Sequence, residues 1–184
     1  MRLSLPVVMR WLCLSAALFS LGLFSGCAHY QLGTEGKLSF HTLYIAPVEN
    51  KAGLPQAVAV VSTQLREAFI HDGRVTVVDS PADADATLTV SLSNYGRDVT
   101  SARPDDTGLA RKFNLNLAAV CTLRDNRGGT VLFDRRIVNV EQQIFTTANL
   151  QQTDSNQLQA EYQALPLLAS SLAQKVAHAA LDVW

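Results

Sequence analysis

What this sequence lacks narrows it quickly. It has no Gly-x-Ser-x-Gly elbow, no glycine-rich phosphate loop and no His-Glu-x-x-His pair, which removes the commonest hydrolase, nucleotide-binding and metalloprotease signatures. Its four histidines, His29, His41, His71 and His178, are widely separated, and none is paired at metal-ligand spacing. No metal and no cofactor is therefore expected. Neither sign of charge dominates, with 15 basic and 16 acidic residues, so the composition argues against whole-surface binding to nucleic acid. Internal repeats and low-complexity tracts are also missing.

Charge is scarcest at the front. Arg2 and Arg10 are the only charged side chains before Cys27. Residues 11–24 form an uncharged, mostly apolar run whose helix would rise only about 21 Å, short of the ~30 Å hydrocarbon core. A basic start, a short apolar run and small residues at its end mark a secretory signal. The run closes on Phe24-Ser25-Gly26-Cys27, which resembles a lipobox, with an apolar residue and two small ones before a cysteine that takes a diacylglycerol. Residues 1–26 are accordingly read as a lipoprotein signal peptide, and Cys27 as the lipidated first residue of the mature chain. The competing account makes Cys27 an ordinary residue beside an ordinary cleavage site.

Cysteine arithmetic then leaves one thiol. Cys13 departs with the signal and Cys27 is blocked by lipid, so Cys121 has no partner for an internal disulfide. The remaining domain must rely on its core, and it is long enough to build one. All the acidic residues but only thirteen basic ones follow Cys27, giving a mature net charge of about −3.

Residues 27–40 read as a polar, glycine-containing tether, and residues 41–184 as one domain. Residues 43–48 look like a first strand that Pro47 limits to an edge or a strand end. A helix follows, with Pro55 in its first turn, an apolar stripe of Val58, Val61, Leu65, Ala68 and Phe69, and Gly73 as its stop. Residues 74–79 suggest a short strand. Leu88, Val90 and Leu92 alternate with Thr and Ser in a half-buried one. The odd-numbered apolar residues from Leu109 to Leu123 mark a long strand, and residues 125–129 carry hairpin chemistry. The return strand changes parity, with Phe133 and Ile137 odd but Val138, Val140 and Ile144 even. A β-bulge near residue 137 or burial of both faces explains the change. A last helix carries Leu158, Tyr162, Leu165, Leu168, Leu172 and Val176 on its stripe, with Pro166 expected to kink or divide it. The fold class is α+β in two layers: two amphipathic helices on one face of a mostly antiparallel sheet of four to five strands. The first strand-helix-strand unit suits a parallel pair.

Chemistry-bearing residues are few. Asp83 and Asp85 fit turn and strand-entry roles better than an acid/base pair, and Asp105 and Asp106 fit a solvated loop tip. Arg97, Arg103, Arg111 and Lys112 flank one turn; Arg124, Arg127, Arg135 and Arg136 flank the next, at the opposite end of a meander. Guanidinium groups match phosphate geometry, which makes Arg97, Arg103, Arg135 and Arg136 candidates for contact with anionic lipid. Edge charges that discourage strand-to-strand aggregation are the plainer reading of the same residues.

Several short phrases, in order, resemble the lipopolysaccharide-assembly lipoprotein family LptE. These are the lipobox with Gly26-Cys27-Ala28-His29-Tyr30-Gln31-Leu32-Gly33, the strand Leu43-Tyr44-Ile45-Ala46-Pro47-Val48-Glu49-Asn50, the strand entry Ala82-Asp83-Ala84-Asp85-Ala86-Thr87-Leu88, and Asn94-Tyr95-Gly96-Arg97 before a hairpin and a C-terminal helix. His29 departs from the glycine common in the family. The resemblance implies a non-enzymatic protein at the periplasmic side of the outer membrane. It further implies insertion into the β-barrel LptD as plug and assembly factor, contact with lipopolysaccharide, and a lipid anchor at Cys27. The alternative is a stand-alone lipid-anchored periplasmic module that binds a glycolipid or an envelope protein.

Overall fold

The computed structural model describes residues 38–101, 110–147 and 153–182. The signal peptide, Cys27, Arg103 and the Asp105–Asp106 loop tip all lie outside them. Two short strands, β1 (Thr42–Ile45) and β2 (Glu49–Asn50), are followed by helix α1 (Pro55–Asp72) and strand β3 (Thr76–Val78). Three long strands come next, β4 (Ala86–Ser101), β5 (Ala110–Asp125) and β6 (Val131–Thr147), and helix α2 (Thr153–Leu181) closes the order. The main path of the sheet is β3-β1-β4-β5-β6, with β2 also paired to β4.

The α+β class is as expected, but the sheet has six strands and is mixed. β1 pairs parallel to both β3 and β4, β2 is parallel to β4, and only β4-β5 and β5-β6 are antiparallel. The extra strand arises at Pro47. Without an amide hydrogen the proline interrupts the ladder, so β1 stops at Ile45 and β2 resumes the same track along β4. Ala46 and Lys51 donate their amides to Leu88 and Leu92 carbonyls at 2.9 and 2.8 Å, bracketing the break. Pro47 thus marks a strand end, and β1 is an interior strand.

Register fixes one apolar face. Leu43 lies opposite Ala86, Leu88 opposite Leu123, Val90 opposite Cys121, and Leu117 opposite Val140; all are buried. Both helices contribute to the same core, α1 through Ala57, Val61, Leu65 and Phe69, and α2 through Leu165, Leu168, Leu172 and Val176. Phe40, at the end of the expected tether, is only 1% exposed and belongs to this core. Gly73 ends α1 at φ +75° and donates its amide to Phe69, because glycine takes a left-handed cap without a Cβ clash.

The helices run parallel, and Arg74 ties their C-terminal ends together. It pairs with Asp72 at 2.7 Å and with Asp182 at 3.2 Å. Gln64 and Ala68 of α1 share a cleft with Ser170 and Gln174 of α2, and His71 and Asp72 share it with Ala177 and His178. The same offset brings Pro55, the first residue of α1, level with Glu161. At 29 residues against 18, α2 therefore overhangs the start of α1 by more than two turns. Pro166 does not divide α2, which stays one helix with the proline on its exposed side. Leu158 and Tyr162, expected on the buried stripe, are 62% and 65% exposed, at the end of α2 that lies beyond or level with the first residues of α1.

Candidate functional site

Two bulges decide where the basic side chains go. In β6, Asp134 and Arg135 together face Thr122, since Cys121 pairs with Arg136 but Leu123 with Phe133. The bulge therefore sits two residues before the expected position, and it resolves the parity change: Phe133 and Val138 are both buried while Ile137 is exposed. Thr122 holds it, donating to Asp134 at 3.2 Å and accepting the Arg135 amide at 3.1 Å. Arg135 is left at φ +48°, the one non-glycine residue at positive φ among those described. Its side chain is exposed, and no ion pair engages it among the described residues.

Arg136 is committed elsewhere. Its guanidinium lies over the Phe133 ring at 4.5 Å and donates to the Ala179 carbonyl at 2.6 Å. A cation at the last carbonyls of a helix satisfies an acceptor and complements the helix dipole. Arg136 thus fastens the end of α2 to β6, and Lys175 does the same from the helix side by donating to Asn139 O at 2.9 Å.

The second bulge lies in β4. Leu92 pairs with Ala119 but Asn94 with Ala118, so Ser93 is the extra residue. Beyond it the odd-numbered side chains turn toward α2. The Tyr95 hydroxyl donates to Glu161 at 3.3 Å, and the Arg97 guanidinium forms an ion pair with the same carboxylate. Burial, with the neighbouring Glu161 charge, pushes the Tyr95 phenol up to about 12. The Arg97 side chain remains 44% exposed against 15% for Glu161. The carboxylate is the sheltered partner and the guanidinium the presented one.

A third polar cluster joins the start of the domain to the β5-β6 hairpin. The Asp85 carboxylate accepts the amides of His41 and Thr42 at 2.8 and 3.1 Å and pairs with Arg127. Thr42 Oγ1 accepts the Asp85 amide, and Asn126 donates its amide to the Asp85 carbonyl. The His41 amide is the main reason that the Asp85 carboxyl titrates below the usual range. Asp83 stays exposed in a short 3-10 turn, Pro81–Asp83.

Other features offer less chemistry. The cleft between the outer faces of the helices, about 360 Å³, is lined by Glu67, His71, Asp72, Ser170, Gln174 and His178. Among the described residues no hydrogen bond links Ser170 to either imidazole, and no three His, Cys, Asp or Glu side chains are placed to hold a metal. Cys121 is fully buried, and burial pushes its thiol up to about 12.

Comparison with known proteins now bears on this geometry. The family model described as LptE, lipopolysaccharide-assembly, matches residues 40–179. The chain belongs to the LptE family. No curated protein sequence matches it. Among solved structures, a Xanthomonas campestris protein is 14% identical at a TM-score of 0.50, covering 79% of this chain and 86% of that one. A minor lipoprotein from Acinetobacter baumannii is 14% identical, with coverage of 79% and 93% and a TM-score of 0.48. Rare lipoprotein B from Shewanella oneidensis is 12% identical, with coverage of 77% and 98% and a TM-score of 0.47.

In this LptE-family chain the phrase from Ala82 to Leu88 is the Asp85 clasp. The four arginines singled out from sequence do not form one site. Arg97 sits with Glu161 under the overhang of α2, Arg136 caps the other end of that helix, Arg135 projects from its bulge, and Arg103 lies outside the described residues. Sequence reading missed Glu161 and Tyr95 as partners of Arg97. The one available signal was an acidic residue between Leu158 and Leu165 on an apolar stripe.

Proposed function

We propose that this LptE-family chain is an outer-membrane lipoprotein, anchored through Cys27 on the periplasmic face. There it plugs, and helps assemble, an LptD-type β-barrel that delivers lipopolysaccharide to the cell surface. The observation that carries this reading is the sheet face that no helix covers among the described residues. Thr87, Thr89, Asn114, Asn116, Thr122, Asn139, Glu141 and Gln143 line it, opposite in parity to the buried set, with Val120, Ile137 and Phe145 as its apolar members. A sheet face that is polar over most of its positions suits the water-lined interior of a large barrel, where lumen-facing residues are polar too. A body closed on one face by helices and polar on the other can sit in such a lumen without exposing its core.

The test is purification of the tagged full chain from gently solubilised membranes. Stoichiometric recovery of a large outer-membrane barrel, and loss of the folded barrel on depletion of the chain, are the expected results. Recovery of the chain as a monomer with a saturable ligand and no barrel would replace this reading with that of a stand-alone binding module. Cys27→Ser should release the domain into the periplasm still folded.

A further inference from the structure

The sheet ends on a strand whose outer side is guarded along one half and bare along the other. β6 runs for 17 residues and pairs only with β5 among the described residues. Its outward groups follow from the hairpin. The Asp125 amide reaches the Thr130 carbonyl while the Asn126 amide turns the other way, to Asp85. Odd-numbered residues of β5 therefore bond toward β6, and even-numbered ones toward β4. Their β6 partners past the bulge are even-numbered, which leaves the amides and carbonyls of Ile137, Asn139, Glu141, Gln143 and Phe145 pointing away from the sheet. The near half is closed by devices that protect edges: the Asp134–Arg135 bulge, the Arg136 guanidinium on Ala179, and the Lys175 ammonium on the outward Asn139 carbonyl. From Val140 to Phe145 the edge carries one charge, Glu141, with no proline and no bulge, and Phe145 is 67% exposed. The Gln142 side chain donates to the Gln143 carbonyl at 3.1 Å, a local bond that a neighbouring strand can replace.

We propose that the far half of β6 pairs antiparallel with the same strand of a second copy of this chain, about a two-fold axis at Gln142. Paired edges bring outward residues together, so odd positions meet odd positions. An axis at Glu141 sets that carboxylate against its own copy. An axis at Gln143 sets Phe145 against Glu141 and Gln142 against Ile144. Axes nearer the bulge run the second strand further across the Lys175 tie to Asn139. An axis at Gln142 avoids these clashes: Glu141 lies opposite Gln143 twice, Val140 opposite Ile144 twice, and Phe145 opposite Asn139. In that register this edge is its own complement, which favours a second copy over an unrelated strand and gives the self-matching contact of a two-fold pair. The proposal goes beyond the plug reading and does not depend on it, since the pair forms where two anchored copies meet outside a barrel.

Single cysteines placed from Asn139 to Phe145 in the full-length chain, oxidised mildly in native membranes, read the register. Cys121 is buried and Cys27 is the acylated residue of the proposed anchor, so the introduced thiol is the reactive one. Gln142→Cys should give the strongest disulfide-linked dimer, because residues at the axis form a non-hydrogen-bonded pair about 4.5 Å apart at Cα. Glu141→Cys and Gln143→Cys should give little, and Val131→Cys, on the guarded half, none. Sedimentation of the full-length chain in a neutral detergent reads the affinity. Gln143→Glu should weaken self-association about three- to tenfold, since it opposes Glu141 of the other copy twice, and Gln143→Lys should tighten it by a similar factor. Gln143 is exposed, so both variants keep the fold. A monomer at every concentration, the same response to both charges, a disulfide maximum away from Gln142, or a Gln142→Cys product joined to a different protein would each overturn the pair. Barrel co-purification, read in parallel, decides the plug reading separately, so either can fail alone.

Discussion

Arg135 occupies a backbone conformation that its side chain does not favour, and replacing it should make the protein more stable. At φ +48° an L-residue suffers a clash between Cβ and the backbone worth about 1–2 kcal/mol. Glycine escapes that clash but loses about 0.5–1 kcal/mol through the greater freedom of its unfolded chain. The bulge itself is held by the Arg135 amide and by Asp134, both on Thr122, and Arg135→Gly keeps all of these. Its exposed guanidinium makes no ion pair to lose among the described residues. The balance is a gain of about 0.75 kcal/mol at the midpoints and about 1.5 at most, or a midpoint rise of about 1.5–3 °C in Tm for a domain of this size. Denaturant unfolding monitored by circular dichroism, with Tm by calorimetry, reads it directly. A drop in stability would mean that the side chain, not the bulge backbone, holds this corner, and the strain argument would be wrong. A gain would show that arginine is kept there against stability, which is how residues under selection for contact behave.

Two further outcomes follow from the core and the clasp. Leu172 is fully buried between α2 and the sheet, and Leu172→Ala should cost about 2–5 kcal/mol, read as a shifted urea midpoint at constant slope. The Asp85 carboxyl, held by the His41 amide, titrates below the ordinary aspartate value of 3.8 in the folded state. The stability it contributes is therefore present above that value and lost as the pH falls through the lower, folded one. Acid unfolding should be steepest below about pH 4, and Asp85→Asn should flatten that limb. An unchanged acid limb in the variant would show that the clasp contributes nothing.

Much of the architecture was legible because the apolar periodicities are clean. The odd-numbered residues of β5 are all buried from Phe113 to Leu123, and Pro55 and Gly73 bound α1 as local chemistry dictates. What could not be read came from tertiary packing. The parity change in β6 required a bulge, but only the Thr122 hydroxyl on the neighbouring strand places it at Asp134 and Arg135. Leu158 and Tyr162 fit the α2 stripe perfectly well by spacing, yet both are exposed where α2 begins. Arg97 and Arg136 look alike in sequence as edge cations. The bulge at Ser93 turns one toward Glu161, and the end of α2 captures the other. No local pattern encodes either outcome.

The unequal lengths of the elements carry one more consequence. β1 and β2 pair with only the first half of β4, from Ala86 to Leu92, and β3 lies beyond β1. β4, β5 and β6 then continue to Ser101, Ala110 and Thr147, so the far half of a sheet about 50 Å long has three strands and one helix. Four of the seven large apolar side chains exposed among the described residues lie on that half or on the α2 residues above it: Phe145, Leu158, Tyr162 and Leu167. The near half, where the chain enters at His41 through the Asp85 clasp, is instead closed by ion pairs such as Arg74 with Asp72 and Asp182. A chain this well packed at one end gains nothing for its own stability by leaving apolar groups in water at the other. Among the described residues, the far half is therefore the less self-covered end of the sheet.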